Sequence, residues 1–138
     1  MLKIYKCNHC SNVVILAQDG GGVLSCCGEP MQLLEANVTD ASAEKHVPVV
    51  ETVTCSECGR PVVKVKVGSA AHPMVEVHYI QFLILEISRE GTGSAYRMAK
   101  LLPGNAPEAR FALQKGEKAV AVYAYCNLHG LWKADIEG

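Results

Sequence analysis

The chain has 138 residues, of which 49% are hydrophobic and 20% are charged, and its formal net charge is -1. This composition excludes a disordered chain, and the length suits one ordinary domain or a small module attached to a larger one. The charge gives no overall attraction to nucleic acid or to an anionic membrane, and no apolar stretch approaches the roughly 20 residues that span a bilayer. We therefore expect a soluble globular protein with no nucleic-acid or membrane partner.

Cysteine use indicates the compartment and the chemistry. No long apolar region precedes the first cysteine, so we expect no secretory signal and a cytoplasmic location. In a reducing cytosol, seven cysteines are better explained by metal or redox chemistry than by a disulfide framework.

Residues 1–36 form the first predicted block. Cys7 and Cys10 form a Cys-x-x-Cys pair, and Cys26 and Cys27 follow after a short apolar run and a three-glycine turn. We expect two or three short strands, which are too small to fold on apolar burial alone and need a structural ion. Four thiolates bind iron or zinc tetrahedrally, and the spacing does not choose between the two metals.

Residues 37–138 form the second predicted block, which opens with a polar passage and then has a β pattern. Val63, Val65 and Val67 alternate with lysines, as in a half-buried strand. Residues 75–87 are apolar on both faces and predict a central strand. Residues 111–113 and 119–125 predict a later hairpin. With little helix, the pattern favours an antiparallel β-sandwich.

A second set of ligands lies in this β-rich block. Cys126 and His129 follow the predicted buried strand 119–125, and alone they cannot complete a metal site. His9, which the first cysteine pair encloses, is expected to be an exposed turn residue. The histidines of the β-rich block are His46, His72, His78 and His129. Four imidazoles and one thiolate exceed a closed zinc site and suit a redox iron with an open sixth position, where substrate chemistry takes place.

Six segments carry a resemblance to a known family. They are Tyr5-Lys6-Cys7-x-x-Cys10, Cys26-Cys27-Gly28-Glu29-Pro30-Met31, Glu44-Lys45-His46-Val47-Pro48-Val49, Gly68-Ser69-x-x-His72-Pro73-Met74, His78-Tyr79-Ile80 and Cys126-Asn127-Leu128-His129-Gly130-Leu131-Trp132-Lys133. On these residues the chain resembles the desulfoferrodoxins, the two-iron form of superoxide reductase, along essentially its whole length.

The resemblance implies two iron ions per chain. The first would be an Fe(Cys)4 centre in a desulforedoxin-like module. The second would be an Fe(His)4(Cys) centre in an immunoglobulin-like sandwich, with the four histidines in the plane and Cys126 axial. The implied reaction is the one-electron reduction of superoxide, with two protons, to hydrogen peroxide, which detoxifies superoxide. The family also implies a rubredoxin electron donor and a homodimer.

Glu44 and Lys45 immediately precede His46 and are the expected catalytic residues. Lys45 would attract the superoxide anion and stabilise the developing peroxide charge. By the family's roles, Glu44 would bind the oxidised iron after the product leaves.

Cys55-Ser56-Glu57-Cys58-Gly59 lies outside the family pattern, and four interpretations stay open. The pair forms a structural or redox-active disulfide, a metal site completed by the same pair of another subunit, a ribbon with the first Cys-x-x-Cys that leaves the adjacent cysteines free, or two reduced thiols in a surface turn.

Two rival functions stay open. One is an electron-transfer protein in which neither iron binds substrate. The other is a structural zinc ribbon built from Cys7, Cys10, Cys55 and Cys58. Superoxide reduction is favoured because it alone employs both ligand sets together with the open position of the second.

Overall fold

The computed structural model describes residues 2–136, which form twelve strands and one short helix. The chain divides into two compact units, the first ending at Glu35 and the second beginning at Ala36. Within the described residues, no helix has the length and apolar character needed to cross a membrane.

The first unit contains five short strands. They are β1 (Lys3–Lys6), β2 (Val13–Leu16), β3 (Ser25–Cys26), β4 (Glu29–Pro30) and β5 (Gln32–Leu33). Antiparallel pairing gives a sheet in the order β2-β1-β5 and a separate β3-β4 pair. The sequence predicted only two or three strands here, because the two-residue strands β3, β4 and β5 are too short to leave a periodic pattern. Ile4 and Cys7 are buried here, whereas Val14, Ile15 and Leu33 are exposed, so this unit has a very small apolar core.

The second unit contains seven strands and the helix. They are α1 (Ala43–His46), β6 (Pro48–Thr54), β7 (Pro61–Val67), β8 (Ile80–Arg89), β9 (Ala95–Lys100), β10 (Glu108–Ala112), β11 (Glu117–Cys126) and β12 (Gly130–Asp135).

These strands form two antiparallel sheets, in the orders β10-β7-β6 and β12-β11-β8-β9. Val63, Val65 and Val67 of β7 are buried in one cluster with Leu85 of β8 and Val122 of β11, so the core lies between the sheets. The alternating valines, the low helix content and the sandwich are thus confirmed. Seven antiparallel strands in a three-plus-four arrangement are typical of the immunoglobulin-like architecture.

The predicted central strand is present as β8, but its predicted start at residue 75 is wrong. Val75 and His78 exchange backbone hydrogen bonds of 3.0 Å in both directions, which closes a tight turn ahead of the strand. Val77 is 75% exposed in this turn. The apolar residues before Ile80 therefore belong to a loop that carries His78.

The predicted hairpin of residues 111–113 with 119–125 is also wrong. β10 pairs with β7 in one sheet, whereas β11 pairs with β8 and β12 in the other. Glu117, whose side chain is 3% exposed, stabilises the crossover by accepting hydrogen bonds from the Gln114 amide at 2.7 Å and from Arg97 at 2.8 Å. A turn pattern alone does not distinguish such a crossover from a hairpin.

Candidate metal centres

Loops and strand ends at one region of the sandwich bring five potential ligands together. One ligand atom from each lies within 4.8 Å of all the others. His46 ends α1, Cys126 ends β11, and the remaining three lie in the β7–β8 and β11–β12 connections. We call this the His4Cys group: His46, His72, His78, Cys126 and His129.

The four imidazoles form a square. Neighbouring ring centroids are 4.6 to 5.0 Å apart and the ring planes cross at 76° to 89°. His46 and His78 are opposite each other, with centroids 6.5 Å apart and planes only 29° from parallel. Nε2 of His46 lies 3.0 Å from Nδ1 of His129 and 3.2 Å from Nε2 of His72. Nitrogens that bind one ion at right angles, about 2.1 Å from it, lie roughly 3.0 Å apart, so the square fits a metal ion.

Hydrogen bonds fix the imidazole tautomers. Nδ1 of His46 lies 2.7 Å from the carbonyl oxygen of Ser42, and Nδ1 of His72 lies 2.7 Å from that of Pro73. A carbonyl can only accept, so each Nδ1 donates a proton and each Nε2 keeps its lone pair for the centre of the square. Nε2 of His78 is buried and has no hydrogen-bond partner within residues 2–136. A metal ion would satisfy this nitrogen.

Burial keeps these imidazoles neutral. It lowers the pKa of His72 to about 4 and lowers the pKa values of His46 and His78 as well. A metal binds the neutral imidazole, so near pH 7 these side chains are in the form that coordinates without first losing a proton.

Cys126 is fully buried, and its Sγ lies 3.9 Å from Nδ1 of His129. Burial raises the pKa of this thiol, while hydrogen bonds from the backbone amides of His129 and Leu128 act in the opposite direction. A bound cation would favour the thiolate strongly enough to reverse the effect of burial.

Two residues that support the ligands were not predicted from the sequence to have this role. Trp132 stacks on His46, with centroids 4.9 Å apart, and its Nε1 donates to the His129 carbonyl at 3.1 Å. Asn127 accepts a hydrogen bond from the Tyr79 amide at 2.9 Å and donates to the Val77 carbonyl at 3.0 Å, which ties the His78 loop to the end of β11. The closeness of these two residues in sequence to Cys126 and His129 was the one feature from which this role could have been predicted.

Glu44 and Lys45 are exposed next to the buried His46. Burial and then the nearby His129 lower the pKa values of His46 and His78, and the positive charge of Lys45 adds a smaller lowering. The Glu44 carboxylate is outside the group of mutually close ligand atoms. Its backbone is held tightly, because the Glu44 carbonyl accepts from the Ala70 amide at 2.9 Å and a Cβ on Gly68 would lie 2.5 Å from it.

The second ligand group lies in the N-terminal unit and consists of four cysteines, here called the four-thiol group: Cys7, Cys10, Cys26 and Cys27. Sγ of Cys26 lies 3.5 Å from that of Cys10 and 3.9 Å from that of Cys27. Sulfurs about 2.3 Å from one ion in a tetrahedron lie roughly 3.8 Å apart, so the group fits a tetrahedral metal. The adjacent cysteines both reach it because the backbone bends at Cys27, which has a φ of 54°.

Hydrogen bonds distinguish the members of the four-thiol group. The amides of Cys10 and His9 donate to Cys7 Sγ and lower the pKa of Cys7 to about 6. Close sulfurs, that of Cys10 first, raise the pKa of Cys27 to about 12, since a further negative charge among thiolates needs a compensating cation. His9 pairs with Glu29 at 2.8 Å and is exposed, as predicted.

Cys55 and Cys58 belong to neither ligand group within the described part of the chain. Because Cys26 and Cys27 join the first Cys-x-x-Cys pair, the ribbon interpretation that leaves them free is wrong, and so is the zinc-ribbon function built on it.

Comparisons with known proteins bear on the whole chain. The desulfoferrodoxin profile matches residues 38–135, and the profile of the desulfoferrodoxin N-terminal domain matches residues 1–34. The chain belongs to the desulfoferrodoxin family. It is 47% identical to the desulfoferrodoxin of Nitratidesulfovibrio vulgaris over 133 residues, covering 96% of this chain and 95% of that protein.

A further relative and a solved structure extend the match. A superoxide reductase of Pyrococcus horikoshii is 29% identical over 106 residues, covering 71% of this chain and 90% of that protein. The crystal structure of the superoxide reductase from Treponema pallidum aligns with a TM-score of 0.74 at 32% identity, covering 98% of this chain and 99% of that one. As in a two-iron desulfoferrodoxin, the four-thiol and His4Cys groups supply donor sets for two iron sites.

Proposed function

We propose that this protein is a superoxide reductase, an oxidoreductase that converts superoxide to hydrogen peroxide at the His4Cys group. The observation that carries the proposal is the square of inward-facing imidazoles beside a buried thiol, in a chain of the desulfoferrodoxin family.

The proposed ligands of the reacting iron are the members of the His4Cys group. Iron bound there would supply the single electron that superoxide accepts, and donation from the Cys126 thiolate would favour loss of that electron. The protein's own contribution is to hold three Nε2 atoms and the Nδ1 atom of His129 in place through the tautomer-fixing carbonyls, the tryptophan stack and the asparagine ties. The proposed ligands of the second iron are the sulfurs of the four-thiol group.

Lys45 and Glu44 are the proposed catalytic residues. The exposed ammonium of Lys45, whose charge acts on two opposite imidazoles, attracts the superoxide anion and stabilises negative charge that develops during reduction. For Glu44 we propose that the exposed carboxylate swings to the open side of the square once the product has left.

The remaining parts of the proposal concern partners and location. A rubredoxin-like protein donates the electrons, the chain forms a homodimer, and the protein is cytoplasmic. Family resemblance supports the donor and the dimer, while the need for reduced thiols in both groups supports the reducing compartment.

The stoichiometry of the reaction tests the function. The iron-loaded, reduced protein is mixed with superoxide, and peroxide and dioxygen are measured. Reduction gives one peroxide for each superoxide consumed and no dioxygen, whereas dismutation gives one peroxide and one dioxygen for every two. Cys126→Ser should lose the activity, while His9→Ala, a histidine outside the His4Cys group, should keep it. Dismutation stoichiometry, or inactive protein with two irons bound, would reject the proposal.

The role of Lys45 has its own test. Lys45→Ala should lower the second-order rate with superoxide by up to about tenfold at low ionic strength and flatten its salt dependence, because steering by charge is screened by salt. Lys66→Ala removes an exposed lysine from β7 and is the matched control, with little expected effect. Equal behaviour of the two variants would remove Lys45 from the mechanism.

A further inference from the structure

The connection between β6 and β7 carries a Cys-x-x-Cys pair that the proposed function does not use. The strands pair up to Thr54 and Pro61, and residues 55–60 close the end; we call them the Cys55 hairpin. The Cys55 amide donates to the Arg60 carbonyl at 2.8 Å, and the Gly59 amide donates to the Cys55 carbonyl at 2.9 Å. Both thiols are therefore held on an ordered turn at the end of a sheet.

The backbone of this turn repeats that of the loop at Cys7. In each loop the first cysteine amide donates to the carbonyl five residues later, at 2.8 Å for Cys55 and 2.9 Å for Cys7. In each, the second cysteine amide donates to the first cysteine sulfur, at 3.2 Å for Cys55 and 3.5 Å for Cys7.

The residue after the second cysteine completes the likeness. It is left-handed in both loops, with φ of 70° at Gly59 and 66° at Ser11. Glycine adopts this conformation without the steric cost that a side chain incurs, so the Cys55 hairpin is the better adapted of the two. The loop at Cys7 contributes two sulfurs to the four-thiol group. The same conformation at Cys55 presents two further thiols in the arrangement that Cys7 and Cys10 have in the four-thiol group.

What the Cys55 hairpin lacks is the second pair of ligands. Within residues 2–136, no cysteine, histidine or carboxylate joins Cys55 and Cys58 in a group of close ligand atoms. A tetrahedral site for a soft divalent ion takes four ligands, so this half-site needs two more from another molecule. Cys55 is half-buried, but residues 56–60 are all exposed, which leaves the turn accessible to a partner.

We propose that the Cys55 hairpin binds zinc together with the same hairpin of a second copy of this chain, so that four thiolates enclose one ion on a two-fold axis. A second copy supplies the missing donors in a conformation identical to the first, and a two-fold contact joins the same patch of both molecules. This site is separate from both iron centres and does not depend on the superoxide reaction.

Zinc uptake and molecular mass together test the proposal. The full, iron-loaded chain is treated with a phosphine reductant, titrated anaerobically with zinc, and measured by equilibrium dialysis and by sedimentation. We expect about half a zinc ion per chain and, because the proposed homodimer already pairs two chains, a doubling of its mass as two homodimers join through their hairpins. Cys55→Ser combined with Cys58→Ser should abolish both effects while keeping both irons and the superoxide activity, and Ser56→Ala is the matched control that should behave as wild type.

Three results would overturn the proposal. The first is one zinc ion per chain without a change of mass. The second is uptake that persists in the double serine variant. The third is no zinc uptake by the fully reduced protein.

A second pair of variants tests the role of the turn conformation. A side chain at position 59 meets open space, so only the backbone preference changes. Gly59→Asn tolerates the left-handed conformation and should keep zinc binding, whereas the β-branched Gly59→Val should weaken it by about tenfold. Equal affinity of the two variants would show that the likeness to the Cys7 loop does not determine binding.

Discussion

Asn127 offers the sharpest test of how the fold holds the His4Cys group. Its side chain makes two hydrogen bonds, one with the Tyr79 amide at 2.9 Å and one with the Val77 carbonyl at 3.0 Å. These bonds flank His78 on both sides. The three residues before His78 are exposed, so little apolar packing holds that loop. Asn127→Ala should therefore loosen His78 more than any other ligand.

The expected magnitude follows from the number of bonds. Each intramolecular hydrogen bond contributes a net of about 0.5–1.5 kcal/mol, so losing two costs about 1–3 kcal/mol. If this cost falls on the iron-bound form, in which His78 must be ordered, iron retention at the His4Cys group weakens by about 5- to 150-fold. Asn127→Asp keeps the acceptor for the Tyr79 amide and loses the donor, so it should fall between wild type and alanine.

Competition with a ferrous chelator measures the effect. The two centres are followed separately by their iron–thiolate absorption, and the four-thiol group is the internal control because its ligands all belong to the other unit. Release of iron from the His4Cys group of Asn127→Ala at the wild-type rate would contradict this role of Asn127. Equal weakening of both centres would also contradict it, because it would indicate general destabilisation.

Three further predictions follow from features of the same sandwich. Gly68→Ala places a methyl group 2.5 Å from the Glu44 carbonyl oxygen, so it should shift the turn that carries His46 and weaken iron retention at the His4Cys group. The control is Gly93→Ala, whose methyl group meets open space and should leave iron retention unchanged. Equal iron retention in the two variants would contradict the steric clash at Gly68. Trp132→Phe loses the hydrogen bond of the indole and should lower the free energy of unfolding of the iron-loaded protein in urea by about 0.5–1.5 kcal/mol. Trp132→Ala also loses the packing of the ring and should lower it by about 3–5 kcal/mol. Similar losses in the two variants would mean that the ring does not pack as described. Hydrogen bonds from the Gln114 amide and then from two arginines lower the pKa of Glu117 below its ordinary value of 4.5. The ionised Glu117 therefore stabilises the folded state fully above pH 4.5, and this stabilisation is lost as the pH falls through the lowered pKa of the folded state. Wild type should thus lose more stability than Glu117→Gln on acidification below pH 4.5, as followed by urea midpoints, and parallel midpoints would contradict this assignment.

The sequence predicted the ligands better than it predicted the strands that carry them. Cys126 and His129 were recognisable because few residue types bind iron and because both follow an apolar run, and the structure brings them together with the other three. The pairing of β10 escaped prediction because an apolar strand next to a turn can join either sheet. The crossover depends on Glu117, whose buried carboxylate pairs with Arg97, a residue 20 positions away in sequence.

Supporting contacts were harder to predict for a different reason. The hydrogen bonds of Asn127 join backbone groups about 50 residues away, and no periodic pattern records such a contact. Closeness in sequence to a ligand also gave little guidance about the direction in which a side chain points. Glu44 is two residues from His46, yet its carboxylate is outside the ligand group, so its catalytic role stays a prediction.

The spacing of the ligands along the chain links iron supply to folding. His46 and His129 are 83 residues apart in sequence, yet their ligand nitrogens are 3.0 Å apart. One ion that binds both closes most of the second unit into a loop, and it binds the folded chain far better than the unfolded one. By mass action, free iron at about 100 times its dissociation constant adds about 2.7 kcal/mol to the free energy of unfolding. The stability of this unit, and with it the lifetime of the protein under proteolysis, should therefore rise and fall with the availability of iron.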